Sequence, residues 1–120
     1  MEDTFLDNLN NEFWNALDQL VQTSEIIIDR PKGSVHPKYP DFLYPVDYGY
    51  LQNTSSMDGE GIDLWSGTGG SQVNAILCTV DLLKRDSEIK LLLGCTGTEI
   101  ESIRKVLHQP PFLNALLIRR

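Results

Sequence analysis

The sequence predicts a mainly β domain with flanking helices, of the α+β class. Three observations carry this. Short β-branched and apolar runs, separated by Gly, Pro and Asp breaks, recur between residues 25 and 95. A stretch over residues 3–22 places its apolar side chains at helical spacing, and a capping-type pattern opens a second helical segment near residue 98.

The chain has 120 residues, 41% of them hydrophobic and 22% charged, which fits one soluble domain with a real core. The expected division is an N-terminal helix over 1–23, a β core over 25–95 and C-terminal helices over 97–120. The net charge of −7 opposes nonspecific binding to nucleic acid or anionic membrane, so neither is an expected partner. An anionic substrate would bind only where metals or a local basic cluster reverse that sign. No apolar run approaches the ~20 residues of a membrane span. Met1-Glu2-Asp3 does not read as a signal peptide, and a cytoplasmic location is expected. Cys78 and Cys95 lie on apolar runs without metal-type spacing. They read as buried thiols of a reducing compartment, with a disulfide left open.

Taken in order, Leu6, Leu9, Phe13, Trp14, Leu17, Leu20 and Val21 form the apolar stripe of the first helix. Glu25 to Asp29 reads as a short buried strand whose terminal Asp29 must be solvated or bound to a cation. Arg30 to Ser34 breaks it. His36 to Tyr50 then holds three prolines and four tyrosines without helical period. The prolines keep it extended, and the tyrosines offer buried rings with hydroxyl donors. Ser66 to Ser71 reads as a hairpin connection. Val73 to Leu83 and Glu88 to Gly94 read as an antiparallel pair turned at Lys84 to Ser87, with Glu88 and Lys90 on one face. Thr98-Glu99-Ile100-Glu101 reads as a helix start, Pro110-Pro111 as its stop, and Phe112 to Ile118 as a last helical turn.

The stretch Asp58-Gly59-Glu60-Gly61-Ile62-Asp63 puts three carboxylates within six residues. A tight turn into a strand fits it, with Ile62 and Leu64 on one face and Asp63 on the other. Such carboxylates repel one another and raise one another's pKa unless a cation sits between them. Oxygen-only ligands suit Mg²⁺ or Mn²⁺ rather than zinc. A solvated acidic turn is the other reading of the same six residues.

Tyr44-Pro45-Val46-Asp47-Tyr48-Gly49-Tyr50 followed by this acidic turn resembles soluble family I inorganic pyrophosphatase. That family pairs a Tyr-Pro-x-Asn-Tyr-Gly segment with an Asp-Gly-Asp-Pro-x-Asp turn. Ile26 to Pro31 resembles its strand ending in Glu-x-Pro, Lys38-Tyr39 its Lys-Tyr-Glu, and Asp86, Glu88 and Lys90 its later aspartates and lysine. The resemblance spans roughly residues 25 to 95 and marks the chain as a shortened, divergent member. It implies a small closed or partly closed OB-like barrel and Mg²⁺-dependent hydrolysis of pyrophosphate, with Mn²⁺ as a substitute. It further implies Asp58, Asp63 and Glu88 as metal ligands, Asp29 and Asp86 as ligands of metals arriving with substrate, and Lys38, Tyr48 and Lys90 as phosphate contacts. Glu60 takes the place of the proposed general base, and self-association is expected. Several features depart from the pattern. Glu60 and Glu88 stand for aspartates, Pro40 replaces an acidic residue, an arginine-bearing strand is missing, and the late Tyr-Lys pair has no counterpart. A nucleotide phosphohydrolase and a noncatalytic metal-, phosphate- or protein-binding barrel are the alternative readings.

Overall fold

The computed structural model describes residues 3–120, with side chains from residue 10 onward. Two helices, α1 (Asp3–Gln22) and α2 (Gly97–Leu107), flank six strands: β1 (Ile26–Arg30), β2 (Asp47–Leu51), β3 (Ile62–Ser66), β4 (Val73–Asp81), β5 (Asp86–Leu93) and β6 (Leu113–Arg119). The strands form one sheet in the order β1-β2-β3-β5-β4-β6. The mainly β class with flanking helices is therefore the one observed. β1 and β6 lie at opposite ends of the order, so the sheet is not fully closed.

All neighbouring pairs are antiparallel except β3 with β5, where Leu64, Trp65 and Ser66 run alongside Leu91, Leu92 and Leu93. This corrects the reading of residues 66–71 as a hairpin. They carry the chain from β3 out to β4, and β5 returns between the two. The second correction concerns residues 113–119, which form β6 along β4 rather than a helical turn. Their run Leu-Asn-Ala-Leu-Leu-Ile-Arg has no decisive period, and the open edge of β4 supplies ladder partners that a short helix would lack. The start of α2 also shifts: the reciprocal cap is Thr96 with Glu99, two residues before the expected one.

The period of two divides the sheet into two faces. On one face, Leu51, Leu64, Ile76, Leu91 and Leu93 pack beneath Trp14 and Val21 of α1. Helix α1 is tied there by Asp18, whose carboxylate accepts from Val73 N at 2.8 Å and from Arg120 Nη1 at 2.8 Å. On the other face, Trp65, Ala75, Leu77 and Leu92 pack against Tyr44 and Val46 and against Ile100, Ile103 and Leu107 of α2. Fully burying side chains of this size contributes roughly 1.5–3 kcal/mol each. Gly49 is required by the β1–β2 approach, because a Cβ there would run into the Ile27 carbonyl. Gly94 turns the chain out of β5 at φ 56° with the Gly70 carbonyl pressed against it.

Candidate active site

Alternation along β5 puts Leu92, Lys90, Glu88 and Asp86 on the α2 face, in a row that passes from core to carboxylates. Pairing of β2 with β3 sets Tyr48 opposite Trp65 and Tyr50 opposite Asp63. The parallel β3–β5 register then brings Asp63 beside Lys90. The Lys90 ammonium donates to Tyr48 Oη, Asp63 Oδ2 and Glu88 Oε2, each at 2.9 Å. An ammonium has three N–H donors, so all three are used. Burial works against its charge, yet the Tyr48 hydroxyl and Asp63 carboxylate hold its pKa above the ordinary lysine value. Burial likewise raises the Tyr48 phenol, against the pull of Lys90. Both groups therefore keep their protons at neutral pH.

Asp58 enters from the turn before β3. Its Oδ1 accepts from the Ser56 hydroxyl at 2.7 Å and from Glu60 N at 2.9 Å. The Ser56 bond above all, then a close approach to Glu88 and the Glu60 N–H, lowers its pKa to about 2. Glu88 moves the other way: burial, then the facing Asp58 carboxyl, raises its pKa despite Lys90. Asp63 and Glu88 thus meet at one lysine, and Asp58 faces Glu88 from the turn.

The remaining expected residues are placed differently. Asp86 pairs across the β4–β5 hairpin with Asp81 and lines a cavity of about 680 Å³ with Glu88 and Lys90. Glu60 is exposed on the turn, outside the cavity lining. Asp29 is exposed at the irregularity between Ile28 and Arg30 in the β1–β2 ladder, and it too lies outside that lining. Lys38 is exposed; its backbone N–H donates to His36 Nδ1 at 3.0 Å, and it does not border the cavity.

Two residues of the cavity lining, and one contact made to the lining residue Tyr44, escaped the sequence. Lys84 borders the cavity from the hairpin, adding a second lysine to the lining. Arg30 turns inward, its Nη1 donating to the Tyr44 hydroxyl at 2.9 Å. Trp65 also borders the cavity, and its Nε1–H is buried without a partner. Only the basic hairpin turn gave a sequence signal, since the other two depend on long-range packing. Cys78 and Cys95 are free, and burial followed by Glu99 pushes the Cys95 thiol up to about 12, which keeps it unreactive.

Among solved structures, this architecture is similar to that of an inorganic phosphatase from Anaplasma phagocytophilum, with a TM-score of 0.56 at 15% identity, covering 78% of this chain and 82% of that one. It is also similar to an inorganic pyrophosphatase from Coxiella burnetii, with a TM-score of 0.53 at 14% identity, covering 78% and 83%. The chain shares their fold. No family model matches the sequence, and neither does any curated protein.

Within this fold, the donor set can be weighed against a divalent cation. Among the described residues, no three His, Cys, Asp or Glu side chains form a group able to hold a metal ion. Asp58 and Glu88 do face each other within hydrogen-bonding reach. Two such carboxyls share either a proton or a cation. Mg²⁺ is commonly held by one or two carboxylates plus substrate phosphates and waters, so the pair fits that ion in number and chemistry. No helix among the described residues is long and apolar enough to cross a membrane.

Proposed function

We propose that the chain hydrolyses inorganic pyrophosphate to two phosphates with a divalent cation of the Mg²⁺ type. The single observation that carries this reading is the meeting of Asp63 and Glu88 on Lys90 beside Tyr48, with Asp58 facing Glu88, in the fold shared with the two proteins above. Asp58 and Glu88 would hold the cation with Asp63 beside them, and Asp29 and Asp86 would serve further ions arriving with the substrate. When bound, such a cation neutralises phosphate charge and makes a coordinated water more acidic.

The chain's own groups supply the rest. Tyr48 keeps its proton and can donate to a phosphate oxygen. Lys90 reaches substrate only by exchanging one of its three bonds, so substrate binding and rearrangement of the Lys90 cluster are one event. Its positive charge then lies where the transferring phosphoryl group spreads negative charge. Lys38 would approach from the exposed segment, and Glu60, on the same turn as Asp58, would accept the proton of the attacking water.

Phosphate release from pyrophosphate, with Mg²⁺, with Mn²⁺ and with neither, tests the proposal. Release is expected with either ion and not without them. Purified, folded protein that releases no phosphate under any of these conditions would rule the activity out.

A further inference from the structure

The cavity beside Lys90 has walls of a kind that pyrophosphate does not need. Pyrophosphate carries no apolar surface, whereas about 680 Å³ falls within the range of organic-ligand pockets. Its lining includes Tyr39, Phe42, Leu43, Leu83 and Phe112. Four of these (Tyr39, Leu43, Leu83 and Phe112) are more than half exposed, so large apolar side chains from separate segments converge on one open space. His36 and Tyr44 hold nearly parallel rings there, 9° apart in plane with centroids 6.2 Å apart.

Tyr48, Glu88 and Lys90 of the proposed phosphoanhydride site line the same cavity, as does Lys84. Four carboxylates line it: Glu88 is already bound to Lys90, Asp81 accepts the Leu83 and Lys84 backbone N–H groups at 3.0 Å each, Asp41 is exposed to solvent, and Asp86 is the residue given above to an ion that arrives with substrate. We infer that the cavity admits a nucleoside di- or triphosphate, with its phosphates at Lys90 and its planar base against Tyr39 and Phe42. The inference rests on the reading of the Lys90 end as a phosphoanhydride site. In the corresponding reaction a water oxygen bonds to the terminal phosphorus and the bond from that phosphorus to the bridging oxygen breaks. The leaving phosphate keeps the bridging oxygen, and one proton passes to solvent. Stacking of one base on aromatic side chains is worth roughly ten- to a hundredfold in affinity.

The test is calorimetric binding of ADP and of methyl diphosphate, which has the diphosphate but no base, to the full chain with Mg²⁺. Phosphate release from pyrophosphate is measured on the same samples. ADP is expected to bind at least about tenfold more tightly, and Tyr39→Ala, at an exposed position, is expected to erase the difference. Equal affinities, or a preference that Tyr39→Ala leaves intact, overturn the base pocket. Absent phosphate release counts against the proposed hydrolysis, and the binding ratio still decides the pocket.

Discussion

Lys90 Nζ lies 2.9 Å from Asp63 Oδ2, and the two residues meet only because β5 runs parallel to β3. The lysine is 12% exposed and the aspartate 27%, so the pair is sheltered without being sealed from water. Glu88, also 12% exposed, shares the same ammonium. A single cation therefore stabilises two carboxylates brought together by non-local strand pairing.

Replacing that cation tests its structural weight. Lys90→Met leaves Asp63 and Glu88 without their common partner, and stability should fall by about 2–4 kcal/mol, measured by urea unfolding. A loss below about 0.5 kcal/mol would show that Lys90 is present for substrate alone.

The acidic pair gives a pH signature of two opposite signs. Asp58, depressed to about 2 from 3.8, contributes stability that is present above pH 3.8 and lost as pH falls through about 2. Glu88, raised above 4.5, opposes folding in its charged form, and that penalty is relieved as pH falls through its raised pKa. The melting temperature of Glu88→Gln relative to wild type should therefore climb as pH rises from 4.5 toward 7. A flat difference would contradict the assignment.

Cation binding can be read without activity. Mg²⁺ at about tenfold its Kd should raise the wild-type melting temperature by about 5 °C and leave Glu88→Gln nearly unmoved. Equal shifts in both proteins would place the ion elsewhere.

Glu60 is exposed and its side chain supports no packing, so its substitution separates chemistry from folding. Glu60→Gln should cut turnover of pyrophosphate about a hundredfold or more while the melting temperature stays within a degree or so. Full turnover in the variant removes Glu60 from the role of base.

Gly49→Ala presses a methyl into the Ile27 carbonyl of the neighbouring strand. β1 would have to shift off β2, at a cost of about 2–3 kcal/mol, visible as a loss of cooperative stability. Unchanged unfolding would mean that β1 contributes little to the sheet.

Much of this arrangement was legible in the sequence. The turn at residues 58–63 gave both its bend and the opposite faces of Asp63 and Leu64. The alternation of Glu88 and Lys90 gave one face of a strand, since a period of two needs no long-range information, while Asp86, read as part of the turn, is the first residue of β5. The meeting of Asp63 with Lys90 was not legible, because it depends on β5 inserting between β3 and β4. Nor was the saturation of all three Lys90 donors, which requires Tyr48 to arrive from yet another strand. Residues 113–119 misled for a related reason: an apolar run without a clear period takes the structure that its neighbours offer. Trp65 gave no sign that its indole N–H would be left alone, since only the packed interior determines that.

The Arg120 guanidinium grips Asp18 and the Asn15 side chain of α1 across nearly the whole length of the chain, while it also touches the Val73 carbonyl of the sheet. Such a latch holds the helix on the strands beneath it. Loosening it with Arg120→Ala should speed deuterium uptake at the α1 amides well before the β4–β5 amides lose protection, exposing the Leu64 and Leu91 surface as a sticky, transient patch.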